Sequence, residues 1–136
     1  MVVVGVAPDR ARWSTRAPAV SVRVGERVIH DGHATAVVVA NGQYLRGRDV
    51  VPRGHPGDGR AEIQVYAVAR GQRAGVRSRL ANGEHLPHPD IAQTTGQHIE
   101  IHAEGGPIAL EVDGCATPPA ARVTLDVVPE AFVLVI

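Results

Sequence analysis

The chain has 136 residues, a length that fits one domain and that buries roughly two-thirds of the surface of the unfolded chain. Its 14 basic residues balance its 14 acidic residues, so no strong overall field directs it to nucleic acid or to an anionic membrane. Every basic residue is an arginine, which excludes a Schiff-base lysine or a P-loop lysine.

The first half of the chain is predicted to consist mainly of strands. A short polar segment, residues 10–14, is predicted to form one or two helical turns. The pair Asp31-Gly32 favours a tight turn, and residues 52–59 are predicted to be a loop because they are rich in Pro and Gly. The predicted strands of this half are residues 2–7, Ala19–Val24, 27–30, 34–40 and 48–51.

The second half contains the clearest strand and the only convincing helix. Residues 61–69 alternate between apolar and polar side chains over their first part, as a strand does. Residues 72–80 are rich in Arg, Ala and Leu, which predicts a helix that ends at Asn82-Gly83. The remaining predicted strands are His98–Ala103, Ile108–Val112, 122–128 and 131–136, with a Pro-rich connection before the third of them.

About nine strands and one short helix, joined by turns rich in Gly and Pro, predict a mainly β fold. The two architectures that fit are a β-sandwich and a partly closed barrel. The sequence has no repeat period and no linker, so we expect residues 1–136 to form a single domain.

The sequence also predicts the compartment of the protein. Cys115 is the only cysteine, so no internal disulfide is possible. The apolar residues 1–7 are too few for a signal peptide, and no apolar run approaches the ~20 residues that span a bilayer. We therefore expect a cytoplasmic protein, with peripheral attachment to a membrane as the alternative.

Five short motifs occur in an order that points to a known family. They are Val-Val-Val-Ala-Asn-Gly at 37–42, the Pro-to-Asp-Gly loop at 52–59, Gly-Glu-His with a later His-Pro at 83–89, Val-Asp-Gly at 112–114 and Val-Pro-Glu-Ala at 128–131. Together they resemble the C-terminal, substrate-binding domain of the bacterial diacylglycerol kinase, or lipid kinase, family. That family belongs to a superfamily with sphingosine kinase and NAD kinase.

The resemblance implies a catalytic position after strand Ile108–Val112. Kinases of the family carry Asp-Gly-Glu there, whereas this chain has Asp113, Gly114 and Cys115. A cysteine thiol is mostly neutral at pH 7 and does not replace a carboxylate that takes up a proton, so the site is expected to be degenerate. The alternative is structural: Asp113 favours the turn and Cys115 is a small buried filler.

The resemblance further implies a structural Mg²⁺ site in the loop at 52–59. Its ligands would be the Asp58 carboxylate and the backbone carbonyls of His55 and Arg60, a set of hard oxygen ligands suited to Mg²⁺. The alternative is an ordinary turn in which Asp58 bonds its own backbone.

Zinc is a less favoured metal than Mg²⁺ for this sequence. Its ligands would be His85 and His88 with Cys115 or His102, but the chain lacks a cysteine pair.

The residues expected to shape a substrate cleft are His85, Asn41, Arg46 and Arg48. His85 occupies the histidine of the family motif, and Arg46 and Arg48, with the nearby Arg53, are suited to a phosphate or a lipid headgroup. The alternatives are a histidine that satisfies loop backbone and a solvated, charged loop.

Three functional hypotheses follow from the resemblance. The family's ATP-binding domain, with its Gly-Gly-Asp-Gly-Thr motif, has no counterpart in these residues, so the first is a catalytically incomplete domain that binds a lipid or another amphiphile. The second is the substrate half of a split lipid kinase, in which a partner chain supplies bound ATP. The third is a structural remnant that dimerises. A homo-oligomer is expected because the missing domain would leave a surface exposed.

Overall fold

The computed structural model describes residues 1–52 and 59–128, together with the backbone of one further strand, Val133–Val135. The strands are β1 (Val2–Gly5), β2 (Ala19–Val24), β3 (Arg27–His33), β4 (Ala36–Ala40), β5 (Tyr44–Leu45), β6 (Arg48–Asp49), β7 (Ala61–Tyr66), β8 (Ile91–Gly96), β9 (His98–Ala103), β10 (Ile108–Val112), β11 (Cys115–Ala120), β12 (Arg122–Val127) and β13 (Val133–Val135). One helix, α1 (Arg73–Leu80), follows a 3₁₀ turn at Arg70–Gln72.

The strands form two main antiparallel sheets that pack face to face. The six-stranded sheet has the order β11-β10-β1-β4-β7-β8, and the five-stranded sheet has the order β13-β12-β9-β2-β3. Strands β5 and β6 pair separately as a small hairpin. Both main sheets are open, so the predicted mainly β fold is confirmed as a sandwich. Within the described residues neither sheet closes into a barrel.

The core between the sheets explains the alternation that the sequence shows. In β2, Val20 and Val22 are buried against the other sheet, whereas Arg23 is exposed. In β9, Ile99 and Ile101 point into the same core. One face of each of these strands is therefore buried and the other meets solvent, as is typical of a sheet with a single covered face.

The six-stranded sheet is covered on both faces, which explains why two of its strands are apolar without alternation. Val3 and Val38 point away from the sandwich core into a second cluster, which contains Val76 and Leu80 of α1. All five residues of β4 are buried. Strands β1 and β4 thus contribute side chains to two apolar clusters, one on each face of the sheet.

The helix confirms the prediction for residues 72–80. Three of its residues are buried, namely Arg73, Val76 and Leu80, so packing on the sheet outweighs the unfavourable helix propensity of Gly75. Gly83 follows the helix with φ of +68°, as the predicted C-terminal stop requires. Among the described residues, no helix has the length and apolarity needed to cross a bilayer.

Some local predictions were wrong. Asp31 and Gly32 lie inside β3 rather than in a turn, and residues 10–14 form turns instead of a helix. Three strands were not predicted at all: the two-residue strand β5, β8, and β11 with its consecutive Pro118 and Pro119. Strands β8 and β11 lie at edges of the six-stranded sheet, where a residue without an N–H group is tolerated.

Candidate functional site

The Asp113–Cys115 segment forms a tight hairpin between β10 and β11. Asp113 has φ of +49° and Gly114 has φ of +81°, which is the pattern of a type I′ turn. Val112 pairs with Cys115 directly across the turn. The Asp113 side chain is 80% exposed and lies 2.6 Å from the nitrogen of Met1, and Cys115 is exposed as well. The carboxylate and the thiol are therefore both accessible to a ligand.

The strand register brings Asn41 to the same end of the six-stranded sheet as this hairpin. Val112 pairs with Val2, and Val2 pairs with Val39, two residues before Asn41. Two strand spacings separate β10 from β4, a distance of about 10 Å. We call this end of the six-stranded sheet, which carries Asp113 and Asn41, the hairpin end.

Arg46 is held by two carboxylates of the chain itself. Its guanidinium donates to both oxygens of Asp9, at 2.7 and 2.8 Å, and to Glu111. Burial alone would raise the pKa of the Asp9 carboxyl, but the hydrogen bonds and charge of Arg46 outweigh it and lower that pKa. The hydrogen bond to Asp9 is the largest cause that raises the pKa of Arg46. A phosphate would have to compete with both carboxylates, so a headgroup role for Arg46 stays a prediction.

Arg48 has a different environment from Arg46. It lies on β6 with an exposed side chain, and Arg53 falls outside the described residues. The predicted cluster of three arginines is thus described only at Arg46 and Arg48.

His85 lies beneath the surface, not on it. Its side chain is 1% exposed, and its ring stacks on Tyr66 with the centroids 6.4 Å apart. The Nε2–H group donates to the Val50 carbonyl at 3.1 Å, which leaves Nδ1 as an acceptor with no donor among the described residues. Burial lowers the pKa of the imidazole and favours this neutral form. His85 is therefore a buried residue that packs on Tyr66 and holds the backbone at Val50.

A second buried contact joins the same carbonyl to the sheet. The Gln64 amide donates to the Val50 carbonyl at 3.1 Å, and the Tyr66 hydroxyl donates to Gln64 at 2.6 Å. Together with His85, these side chains fix the segment after β6 on the outer face of the six-stranded sheet. No pattern in the sequence indicated this network, because Gln64 and Tyr66 occupy positions that look solvent-facing in an alternating strand.

A cavity of about 320 Å³ opens on the outer face of β7 and β8. Its walls are partly apolar and partly polar, and the lining residues are Pro52, Glu62, Gly83, Leu86, Pro87 and Gln93. Glu62 pairs with Ala40, the residue before Asn41, so the polar wall of the cavity lies beside the hairpin end. The cavity therefore combines an apolar surface with hydrogen-bonding groups next to the predicted cleft residue Asn41.

The predicted metal ligands are only partly described. Asp58 and His55 lie outside the described residues, so the Mg²⁺ hypothesis stays a prediction. Arg60 is described, and its guanidinium donates to the hydroxyl and the carbonyl of Thr95, both at 3.3 Å. For zinc, residues 1–52 and 59–128 contain no group of three His, Cys, Asp or Glu side chains arranged to hold a metal ion.

Comparison with known proteins gives a family and a fold. Residues 4–136 match the family model described as the YegS C-terminal NAD kinase beta sandwich-like domain. A diacylglycerol kinase from Bacillus anthracis str. Sterne is 19% identical, with a TM-score of 0.72; the match covers 97% of this chain and 47% of that one. A candidate diacylglycerol kinase from the same organism is also 19% identical with a TM-score of 0.72, and the match covers 93% and 41%.

At 19% identity these structural matches show the fold. They also show how the length of this chain compares with that of the Bacillus proteins. It spans less than half the length of either Bacillus structure. Comparison with curated proteins gave no match.

Proposed function

The chain belongs to the family of YegS C-terminal NAD kinase beta sandwich-like domains, and on that premise we propose that it is the substrate-side domain of a lipid kinase. Its role is to bind a lipid or another amphiphile. The likeness to the Bacillus diacylglycerol kinases supports this proposal at the level of the fold.

The observation that carries the proposal is the arrangement at the hairpin end. The exposed carboxylate of Asp113 and the polar wall of the cavity at Glu62 lie at the same end of one sheet. Three strand spacings separate them, about 14 Å. An amphiphile along this end has its hydroxyl near Asp113 and its apolar part against Leu86 and Pro87. A volume of about 320 Å³ is at the small end for ligand pockets, so it accepts part of one acyl chain.

The chemistry of this arrangement is incomplete without a nucleotide. Transfer of a phosphoryl group forms a bond from the lipid oxygen to phosphorus, breaks the bond to the leaving nucleotide, and releases the hydroxyl proton. Asp113 supplies a carboxylate for that proton, whereas Cys115 supplies a thiol at the position where the family resemblance implies Glu. We therefore expect residues 1–136 to bind an amphiphile without phosphorylating it.

Native mass spectrometry tests amphiphile binding directly. The purified protein is mixed with a short-chain diacylglycerol, a monoacylglycerol or a phospholipid, and we expect a 1:1 adduct. Leu86→Gln places an amide on the apolar wall and should remove most of the adduct. Val28→Gln makes the same kind of change at a side chain that is 55% exposed on β3, and it should leave the adduct unchanged. Circular dichroism establishes that both variants fold.

The outcomes of this experiment separate the candidate functions. No adduct with any of the three lipids, or equal adducts in the two variants, contradicts amphiphile binding at the cavity. The split kinase predicts co-purification with a nucleotide-binding chain. A bare dimer with neither ligand nor partner supports the structural remnant.

A further inference from the structure

The charges of the chain are segregated, although they balance overall. Residues 10–16 and 70–77 contain six of the 14 arginines and none of the 14 acidic residues. The first segment follows β1, and the second contains the 3₁₀ turn and the first part of α1, on the outer face of the six-stranded sheet. We call these arginines, together with Trp13, the arginine face; they are Arg10, Arg12, Arg16, Arg70, Arg73 and Arg77.

Hydrogen bonds from the helical segment hold the two halves of the arginine face together. Arg73 donates to the backbone carbonyls of Arg12 and Thr15, at 2.8 and 2.7 Å. Arg70 donates in the same way to the carbonyl of Trp13. The loop carbonyls are therefore taken up by the helical segment, while the side chains of Arg12 and Trp13 are exposed. The two segments form one continuous surface.

Carboxylates do not neutralise the positive charge of this surface. None of its six arginines forms an ion pair among the described residues. The carbonyls that accept from them carry no net charge. Asp9, the acidic residue next to Arg10, is already bound through both oxygens by Arg46. Burial lowers the pKa of Arg73, and the like charge of Arg70 lowers it further. A partner outside the arginine face therefore meets uncompensated positive charge.

Exposed aromatic rings give the same side of the molecule an apolar component. Trp13 is 67% exposed, and a Cβ atom at Gly71 would lie 3.7 Å from Cζ3 of its ring, which places the ring beside the 3₁₀ turn. Tyr44, on β5, is also exposed, and its neighbour Leu45 packs in the apolar cluster under α1. Aromatic rings with an apolar body and a polar edge are enriched where proteins meet membrane headgroups.

The shape of the arginine face argues for a partner that lies across it. The cavity beneath the face is lined by, among others, Ala11, Arg73 and Val76, and its volume is only about 10 Å³. Pockets that enclose a small ligand have volumes of roughly 300–1,000 Å³. Single-stranded nucleic acid stacks successive bases on several aromatic rings, whereas the arginine face has one, Trp13.

From these features we infer that the arginine face docks the protein on an anionic phospholipid membrane. The exposed side chains of Arg10, Arg12 and Arg70 attract anionic headgroups, and the indole of Trp13 enters the headgroup region. The cavity at Leu86 opens on the outer face of the same sheet, so docking places that cavity on the side of the molecule that faces the membrane. The inference does not depend on amphiphile binding in the cavity.

Vesicle sedimentation at low ionic strength tests the inference. The purified protein is mixed with vesicles of phosphatidylcholine alone and with vesicles in which phosphatidylglycerol replaces part of it. We expect binding that requires phosphatidylglycerol and that weakens as salt is added, because salt screens exposed charges. Trp13 is the only tryptophan of the chain, so its fluorescence should shift to shorter wavelength when the indole leaves water for the headgroup region.

Variants locate the docking surface. Arg12→Gln should lower the vesicle partition coefficient about fivefold, the loss expected for one basic residue close to an anionic surface. Arg12→Lys keeps the charge and should bind as the wild type does. Arg23→Gln is the matched control, because it removes an exposed arginine from β2 on the opposite side of the sandwich, and it should change the coefficient less than about twofold. Trp13→Gln should weaken the binding that persists when salt is added.

The outcomes separate a membrane from other partners. Absence of binding to phosphatidylglycerol vesicles overturns the inference, as do equal binding to neutral vesicles and equal weakening by Arg12→Gln and Arg23→Gln. Binding of a single-stranded oligonucleotide without binding of vesicles also overturns it and indicates a nucleic acid partner. Vesicle binding without a lipid adduct in native mass spectrometry would overturn the proposed function and leave this inference standing; an adduct without vesicle binding would do the reverse.

Discussion

Replacing Arg46 by methionine should destabilise the fold, because it leaves two shielded carboxylates without their cation. The Asp9 and Glu111 side chains are only 7% and 14% exposed. Removing one partner of a fully buried ion pair costs about 3–5 kcal/mol, and since the Arg46 side chain is 25% exposed we expect about 2–3 kcal/mol. For a chain of 136 residues this lowers the melting temperature by roughly 6–12 °C.

Urea unfolding followed by circular dichroism measures this loss, and Arg48→Met is the matched control. Arg48 is exposed on β6, so its replacement should cost less than about 0.5 kcal/mol. The pKa of Asp9 is lowered in the folded protein, so its contribution is present above pH 3.8 and is lost as the pH falls through the folded value. Without Arg46, burial raises that pKa, so the difference between wild type and Arg46→Met should narrow toward acid pH. Equal losses in the two variants, or a loss that is constant from pH 7 to 3.5, would refute the reasoning.

Three further predictions concern the titration of two histidines and the close packing of one glycine. Burial lowers the pKa of His85, so the unfolded chain binds the proton more tightly and the free energy of unfolding should fall as the pH drops below 6.5. His85→Gln should reduce this dependence of the unfolding free energy on pH, as measured by urea titrations. An unchanged pH dependence in the variant would contradict the prediction. The hydrogen bond to Asp126 raises the pKa of His98, so His98→Gln should change the slope in the opposite sense. Gly96→Ala should lower the free energy of unfolding by about 1–3 kcal/mol, because the added Cβ would meet Val24. Combining it with Val24→Ala should recover part of that loss in thermal unfolding. Strictly additive losses from the two changes would contradict the contact.

Much of the fold could be predicted from the sequence because most strands bury one face or both. Alternation identified β2 and β9, and uninterrupted valine runs identified β1 and β4. Strand β8 escaped prediction because it is an edge strand with several exposed residues, among them Gln93 and Thr95, so tertiary pairing and not its own pattern defines it.

The site could be predicted where a short motif determines its own geometry. Asp113 and Gly114 form the expected turn because both adopt positive φ, which their local chemistry favours. The Asp9–Arg46–Glu111 contacts were not predictable, since partners 37 and 65 positions apart meet only after the sheet and the β5–β6 hairpin have assembled. The hydrogen bond from Arg27 to Thr94 was not predictable for the same reason, because the two residues belong to different sheets.

The geometry of the hairpin indicates that the residue at position 115 has little effect on the stability of the fold. Asp113 and Gly114 set the turn, whereas Cys115 lies exposed on the edge strand β11 opposite Val112. Its side chain neither defines the turn nor fills the core, so Cys115→Glu should alter stability by less than about 0.5 kcal/mol. A carboxylate at this position would restore the acidic pair implied by the family resemblance on an unchanged scaffold. The chemistry at position 115 is therefore separable from folding, and the fold has no structural need for Glu there.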